Sequence, residues 1–156
     1  MRFRIGVITV LAGAMVAVLA AAASEDIFDE KADAHQQIAS AIAKASKEGK
    51  NIILDFGANW CGDCHALEAQ MHKPELAALI EKSFVVVSVD VGKMDKNLDL
   101  AEKYHVPLKK GIPALAVLDP HGELLYAQDQ GQFEDARHMT YDSIKVFFEQ
   151  WAPKKG

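Results

Sequence analysis

The chain has 156 residues, half of them hydrophobic, and sets 17 basic against 22 acidic side chains for a formal charge of −5. Without Arg2 and Arg4 at the extreme start, 15 basic residues face 22 acidic ones, a charge of −7. That balance argues against a nucleic-acid partner, whose phosphates need Lys and Arg to replace their counterions, and the length suits one domain with a core of its own.

Residues 1–23 are set apart from the fold. Arg2 and Arg4 make a short basic start, Ile5 to Ala20 is apolar or small without a charge, and Ala20 to Ala23 offer A-x-A sites before the polar Ser24-Glu25-Asp26. This is the layout of a cleavable secretory signal peptide and points to a bacterial periplasm. The alternative is an uncleaved membrane anchor, because Ile5 to Ala23 nearly reaches the length of a membrane span.

Lys31 to Lys47 reads as an amphipathic helix, with Ala34, Ile38, Ile42 and Ala45 at helical spacing and Gly49 as its stop. Asn51 to Phe56 is a short apolar run of buried-strand type, and "WCGDCH" follows at residues 60–65. From Gly62 to Met71 the pattern turns helical, and Pro74 either kinks that helix or opens a second one. Phe84 to Val91 is the strongest strand, Asn97 to Tyr104 a short helix, and Pro113 to Leu118 another buried strand. Pro120-His121-Gly122 turns the chain into Glu123 to Gln128, forming a hairpin. A closing helix from about Asp142 carries Ile144, Phe147, Phe148 and Trp151 on one apolar stripe. Alternating strands and helices predict an α/β fold: a central mixed sheet of about four strands with helices on both faces.

Cys61 and Cys64 are the only cysteines. A bridge between them closes too small a ring to act as a staple, about 2 kcal/mol at most by loop entropy. The spacing fits chemistry instead. C-x-x-C is a redox dithiol, whereas C-x-x-C-H is also the attachment pattern of a c-type haem with His65 as ligand. Met71, Met94 and Met139 are the available second haem ligands, and Cys61, Cys64, His65 and His72 are a possible zinc set. Histidines 35, 72, 105, 121 and 138 read most simply as surface residues.

Three stretches together resemble the thioredoxin superfamily: "LDFGANWCGDC", "FVVVSVDV", and "GIPALAVLD" with "HGEL" after it. More narrowly, "EGKNIILDFGANWCGDCHALE" is similar to exported thioredoxin-like disulfide reductases or isomerases. The resemblance runs from about Lys50 to Trp151, so the chain divides into the leader (1–23), an N-terminal helical extension (24–49), a thioredoxin-like domain (50–152) and a tail (153–156). That resemblance implies Cys61 as the solvent-facing nucleophile, Cys64 as the resolving thiol and Asp55 as the buried carboxylate beneath it. Trp60, Ile112 and a cis Pro113 would dock extended substrates. Gly57 stands where thioredoxins usually carry a second Trp, the link His105 to Lys110 is long, and the acidic loop Gln132 to Thr140 has no placed counterpart.

Exchange needs an exposed thiolate of lowered pKa, and a helix N-terminus provides stabilising N–H groups. Gly62, Asp63 and His65 then tune the couple. Asp63 in the first turn competes with the Cys61 thiolate for the dipole and favours a reducing protein, and protonated His65 pushes the other way. The expected function is therefore an exported disulfide reductase or isomerase, reductase-leaning, without a cofactor. Its partners would be disulfide-containing exported proteins and a membrane-embedded electron donor, with the chain acting as a monomer. A non-catalytic binding module of the same fold is the alternative.

Overall fold

The central strand is buried on both faces although it carries Asn51 and Asp55. In the computed structural model, which describes residues 26–154, β1 (Asn51–Gly57) is buried along its whole length. The expected leader and the end of the expected tail lie outside the described residues. β2 (Phe84–Asp90) runs parallel to β1 on one side, and β3 (Ala114–Leu118) runs antiparallel to it on the other. β4 (Leu124–Ala127) pairs antiparallel with β3, so the sheet order is β2-β1-β3-β4. This is the expected four-stranded mixed sheet.

Strand alternation divides the core into two layers. Ile52, Leu54 and Phe56 pack with Ile38, Ala41 and Ala45 of α1 (Ala34–Glu48) and with Leu100 and Ala101 of α4 (Leu98–Lys103). Ile53, Leu115 and Val117 face the opposite layer, made by α2 (Gly62–Met71), α3 (Pro74–Ser83) and α5 (Tyr141–Trp151). Burying a Phe or Ile side chain is worth about 1.5–3 kcal/mol, so Ile144 and Phe148, both fully buried, hold α5 in place. The rest of its stripe is half-buried: Phe147 and Trp151 meet the Tyr126 ring at 5.5 and 5.0 Å between centroids.

The helix ends follow side-chain chemistry. The Asp33 carboxylate accepts the Gln36 N–H at the start of α1, and Gly49 ends it at φ 65°. Pro74 opens a second helix rather than kinking the first, since its missing N–H is harmless at a first helical position. Asn51 Nδ2 donates to Trp151 O at 2.9 Å and ties the last helix to the start of the central strand.

Candidate active site

β1 ends beside the dithiol because a tight turn, with Cys61 N donating to Ala58 O at 3.0 Å, carries the chain from strand to helix. Cys61 is the capping residue of α2, and its sulfur accepts the Cys64 backbone N–H at 3.0 Å. The two cysteines are joined in a disulfide with 5.2 Å between their Cα atoms. Cys64 is 1% exposed and Cys61 only 5% exposed. The expectation of an open, solvent-facing Cys61 is thus corrected. The Ile112 carbonyl approaches its sulfur to 3.5 Å.

Ile112 and Pro113 are buried and joined by a cis peptide bond. Gln128, 1% exposed, holds this turn from the hairpin: its Oε1 accepts Leu115 N at 3.0 Å and its Nε2 donates to Pro113 O at 3.4 Å.

Asp55 projects from β1 beneath the dithiol-bearing helix, 4% exposed, and its Oδ1 has no hydrogen-bond partner. Burial pushes its pKa up to about 7, and the nearby Glu68 charge adds to the rise. Gly57 leaves a gap that Phe28 fills. A Cβ there would collide with the Phe28 ring and lie 2.9 Å from Cys64 Sγ. Asn59 fastens that segment: its Oδ1 accepts the Ile27 and Phe28 N–H groups at 3.0 and 2.9 Å, and its Nδ2 donates to Phe28 O at 2.9 Å.

His65 is half-buried, with Nε2 2.7 Å from Asn59 O. A carbonyl only accepts, so that nitrogen carries the hydrogen and is engaged within the loop rather than offered to an iron. Among the described residues no group of three or more His, Cys, Asp or Glu side chains converges as metal ligands, the Cys61, Cys64, His65 and His72 set included. The other histidines named from the sequence, at 35, 105, 121 and 138, are exposed, as is His72.

Asp63 is not the free carboxylate the sequence suggests. Its Oδ1 accepts the Arg137 backbone N–H at 3.0 Å and Arg137 Nε at 3.1 Å, while Oδ2 meets the guanidinium at 3.0 Å. Burial alone would raise its pKa, but the Arg137 hydrogen bonds and charge outweigh that and hold it below the ordinary value. Arg137 comes from the unplaced loop Gln132 to Thr140, which Phe133 and Ala136 anchor in the core. A Cβ on Gly111 would lie 2.6 Å from Glu134 Cβ, so the loop touches the cis-proline turn as well.

Trp60 is 60% exposed and donates Nε1–H to Gly92 O at 2.7 Å, which fixes the ring beside the dithiol. Gly62 is exposed at the mouth. Sequence reasoning missed Phe28, Asn59, Glu68, Gln128 and Arg137. Only Arg137 left a mark to find, as the sole arginine after residue 4.

A family model described as thioredoxin-like matches residues 33–120. The solved structure of a disulphide isomerase from Xylella fastidiosa Temecula1 is 40% identical, with a TM-score of 0.79 over 82% of this chain and 98% of that one. Thioredoxin-1 of Drosophila yakuba is 36% identical over 74 residues, 47% of this chain and 59% of that protein. Thiol:disulfide interchange protein DsbD 2 of Pseudomonas aeruginosa is 32% identical over 84 residues, 53% of this chain but 14% of that protein. The chain belongs to the thioredoxin-like family of disulfide oxidoreductases.

Proposed function

We propose that the protein is exported to the periplasm by residues 1–23 and there reduces or isomerises disulfides of other exported proteins, with reduction favoured. The observation that carries this reading is Cys61 at the cap of α2, its sulfur receiving the Cys64 N–H, above a buried carboxyl with an unpartnered oxygen. Among the described residues no helix is long and apolar enough to cross a membrane.

In the dithiol form the Cys61 thiolate attacks one sulfur of a substrate disulfide. That S–S bond breaks, a Cys61–substrate bond forms, and the other substrate sulfur leaves as a thiolate and takes a proton. Asp55, half-ionised near neutral pH at a pKa of about 7, accepts the Cys64 proton. The Cys64 thiolate then attacks Cys61 Sγ, releases the second substrate thiol and restores the Cys61–Cys64 bond. Two electrons pass from protein to substrate. A membrane-embedded dithiol donor returns them, a partner supported by the likeness to a DsbD protein.

Trp60 offers the exposed face on which an extended substrate docks, the buried Ile112–Pro113 turn shapes the wall beside it, and Gly62, Asp63 and His65 set the poise of the couple. The test is insulin reduction by dithiothreitol with and without the protein, together with expression of Cys64→Ala in the native host. Acceleration, and stable mixed disulfides through Cys61, are expected. A folded protein that does neither is a binding module.

A further inference from the structure

Asp63 and Arg137 are 74 residues apart in sequence and share three hydrogen bonds or ion-pair contacts between 3.0 and 3.1 Å. Two of these form a fork in which Nε and a terminal nitrogen each take one carboxylate oxygen, the arrangement guanidinium geometry favours. The guanidinium also reaches the exposed edge of the dithiol turn, since a Cβ on Gly62 would sit 3.7 Å from one of its nitrogens. Asp63 lies in the first turn of α2, the turn whose N–H groups stabilise the Cys61 sulfur. An unpaired carboxylate there would oppose a second negative charge on that sulfur.

We propose that Arg137 is a positioning residue for the exchange chemistry. By neutralising the Asp63 carboxylate across the mouth of the dithiol, it keeps the start of α2 favourable to the Cys61 thiolate and so sets the balance between dithiol and disulfide. The Gln132 to Thr140 loop, anchored by Phe133 and Ala136, is the arm that delivers this charge. The inference rests on Cys61 acting as the attacking thiolate.

Other charges face the same turn. On α2 they are His65, bonded to Asn59 O, and Glu68, which faces His72. Asp55 lies below on β1, and His138 sits next to Arg137, paired with Asp135. Lys110 stands beside the cis-proline turn with its ammonium on Gln130. None of them hydrogen-bonds the Asp63 carboxylate, and His138 acts on it only through space, so removing Arg137 leaves it without a bonded cation.

Charge and scaffolding make opposite demands on a mutant cycle. Arg137→Gln leaves one net negative charge at the mouth, whereas Asp63→Asn leaves one net positive charge. On the charge account the Cys61 pKa, read from thiolate absorbance against pH in the reduced protein, rises by about half a unit in the first variant and falls by about as much in the second. The double variant returns close to wild type, and Arg137→Lys, which keeps the charge without the fork, stays close to it.

The equilibrium with glutathione at pH 8 should follow: about threefold towards the disulfide form for Arg137→Gln, and the reverse for Asp63→Asn. If the fork only anchors the loop, both single variants shift the pKa in the same direction or neither moves it, and the proposal is overturned. A wild-type protein that fails to exchange with glutathione would sink the proposed function, while the titration of Cys61 would still decide the role of Arg137.

Discussion

Phe28 stands where Gly57 has no side chain. Its ring is 2% exposed and meets the space a Gly57 Cβ would need, on the same side as the Cys64 sulfur. The strand end gives up its own bulk, and a residue from before the first helix closes the inner face of the disulfide.

Removing that ring should cost about 3–5 kcal/mol, the usual range for a buried Phe→Ala. Gly57→Ala in the wild type should cost about 1–3 kcal/mol by overpacking, and less in the Phe28→Ala background, where the ring clash is gone and only the contact with Cys64 Sγ remains. Urea midpoints of the two single variants and the double variant measure the coupling. Simple additivity would show that ring and glycine do not share the space.

Asp55 makes stability depend on pH with a definite sign. Its folded pKa of about 7 exceeds the ordinary value of 3.8, so between those values the folded protein holds more protons than the unfolded chain. Stability is therefore lost as pH rises through this window, on the order of 4 kcal/mol as an upper figure. Asp55→Asn should remove that loss and be more stable than wild type at pH 8, with little difference near pH 4. The same variant should resolve mixed disulfides more slowly, seen as trapped substrate on non-reducing gels. Parallel stability profiles for the two proteins would refute the burial account.

Trp60 contributes little to the fold, because most of its ring is in solvent and it makes one hydrogen bond, to Gly92 O. Trp60→Ala should lower stability by about 1 kcal/mol or less. It should raise KM for a protein substrate roughly fivefold or more if the ring is a docking anchor. Reduction of a small disulfide should be unchanged. Equal effects on both substrates would point to a disturbed dithiol rather than a lost docking contact.

Gln128 serves two buried backbone groups, Leu115 N–H and Pro113 C=O. Gln128→Leu keeps the bulk but leaves both unpaired, a cost of about 1–3 kcal/mol for each buried group so exposed. Hydrogen exchange at Leu115 should accelerate in this variant more than exchange elsewhere in β3, and uniform acceleration along the strand would contradict the assignment.

The elements were legible where a local pattern defines them. β1 and β3 show as apolar runs, the Pro74 break as a missing donor, and the α5 stripe as helical spacing. On the apolar face of α1, Ile42 is half-buried and packs against the core, while Ala41 beside it is buried. The dithiol and its neighbours showed because they are contiguous in the chain. Phe28, Asn59 and Arg137 did not, because each acts on a partner between 29 and 74 residues away. Periodicity describes one helix or strand against its own core and carries no information on which distant loop will meet it. For that reason the sequence shows Asp63 as a first-turn charge but not its Arg137 partner.

The Asn59 clasp bears on how this protein can be cut and joined. Trimming at Lys50, where the family resemblance begins, would keep every cysteine, proline and strand. It would also discard the aromatic lid over Cys64 and leave Asn59 with nothing to hold. The smallest portable unit therefore starts near Asp26, and a chimera grafted at the conventional boundary would inherit the chemistry without its inner wall.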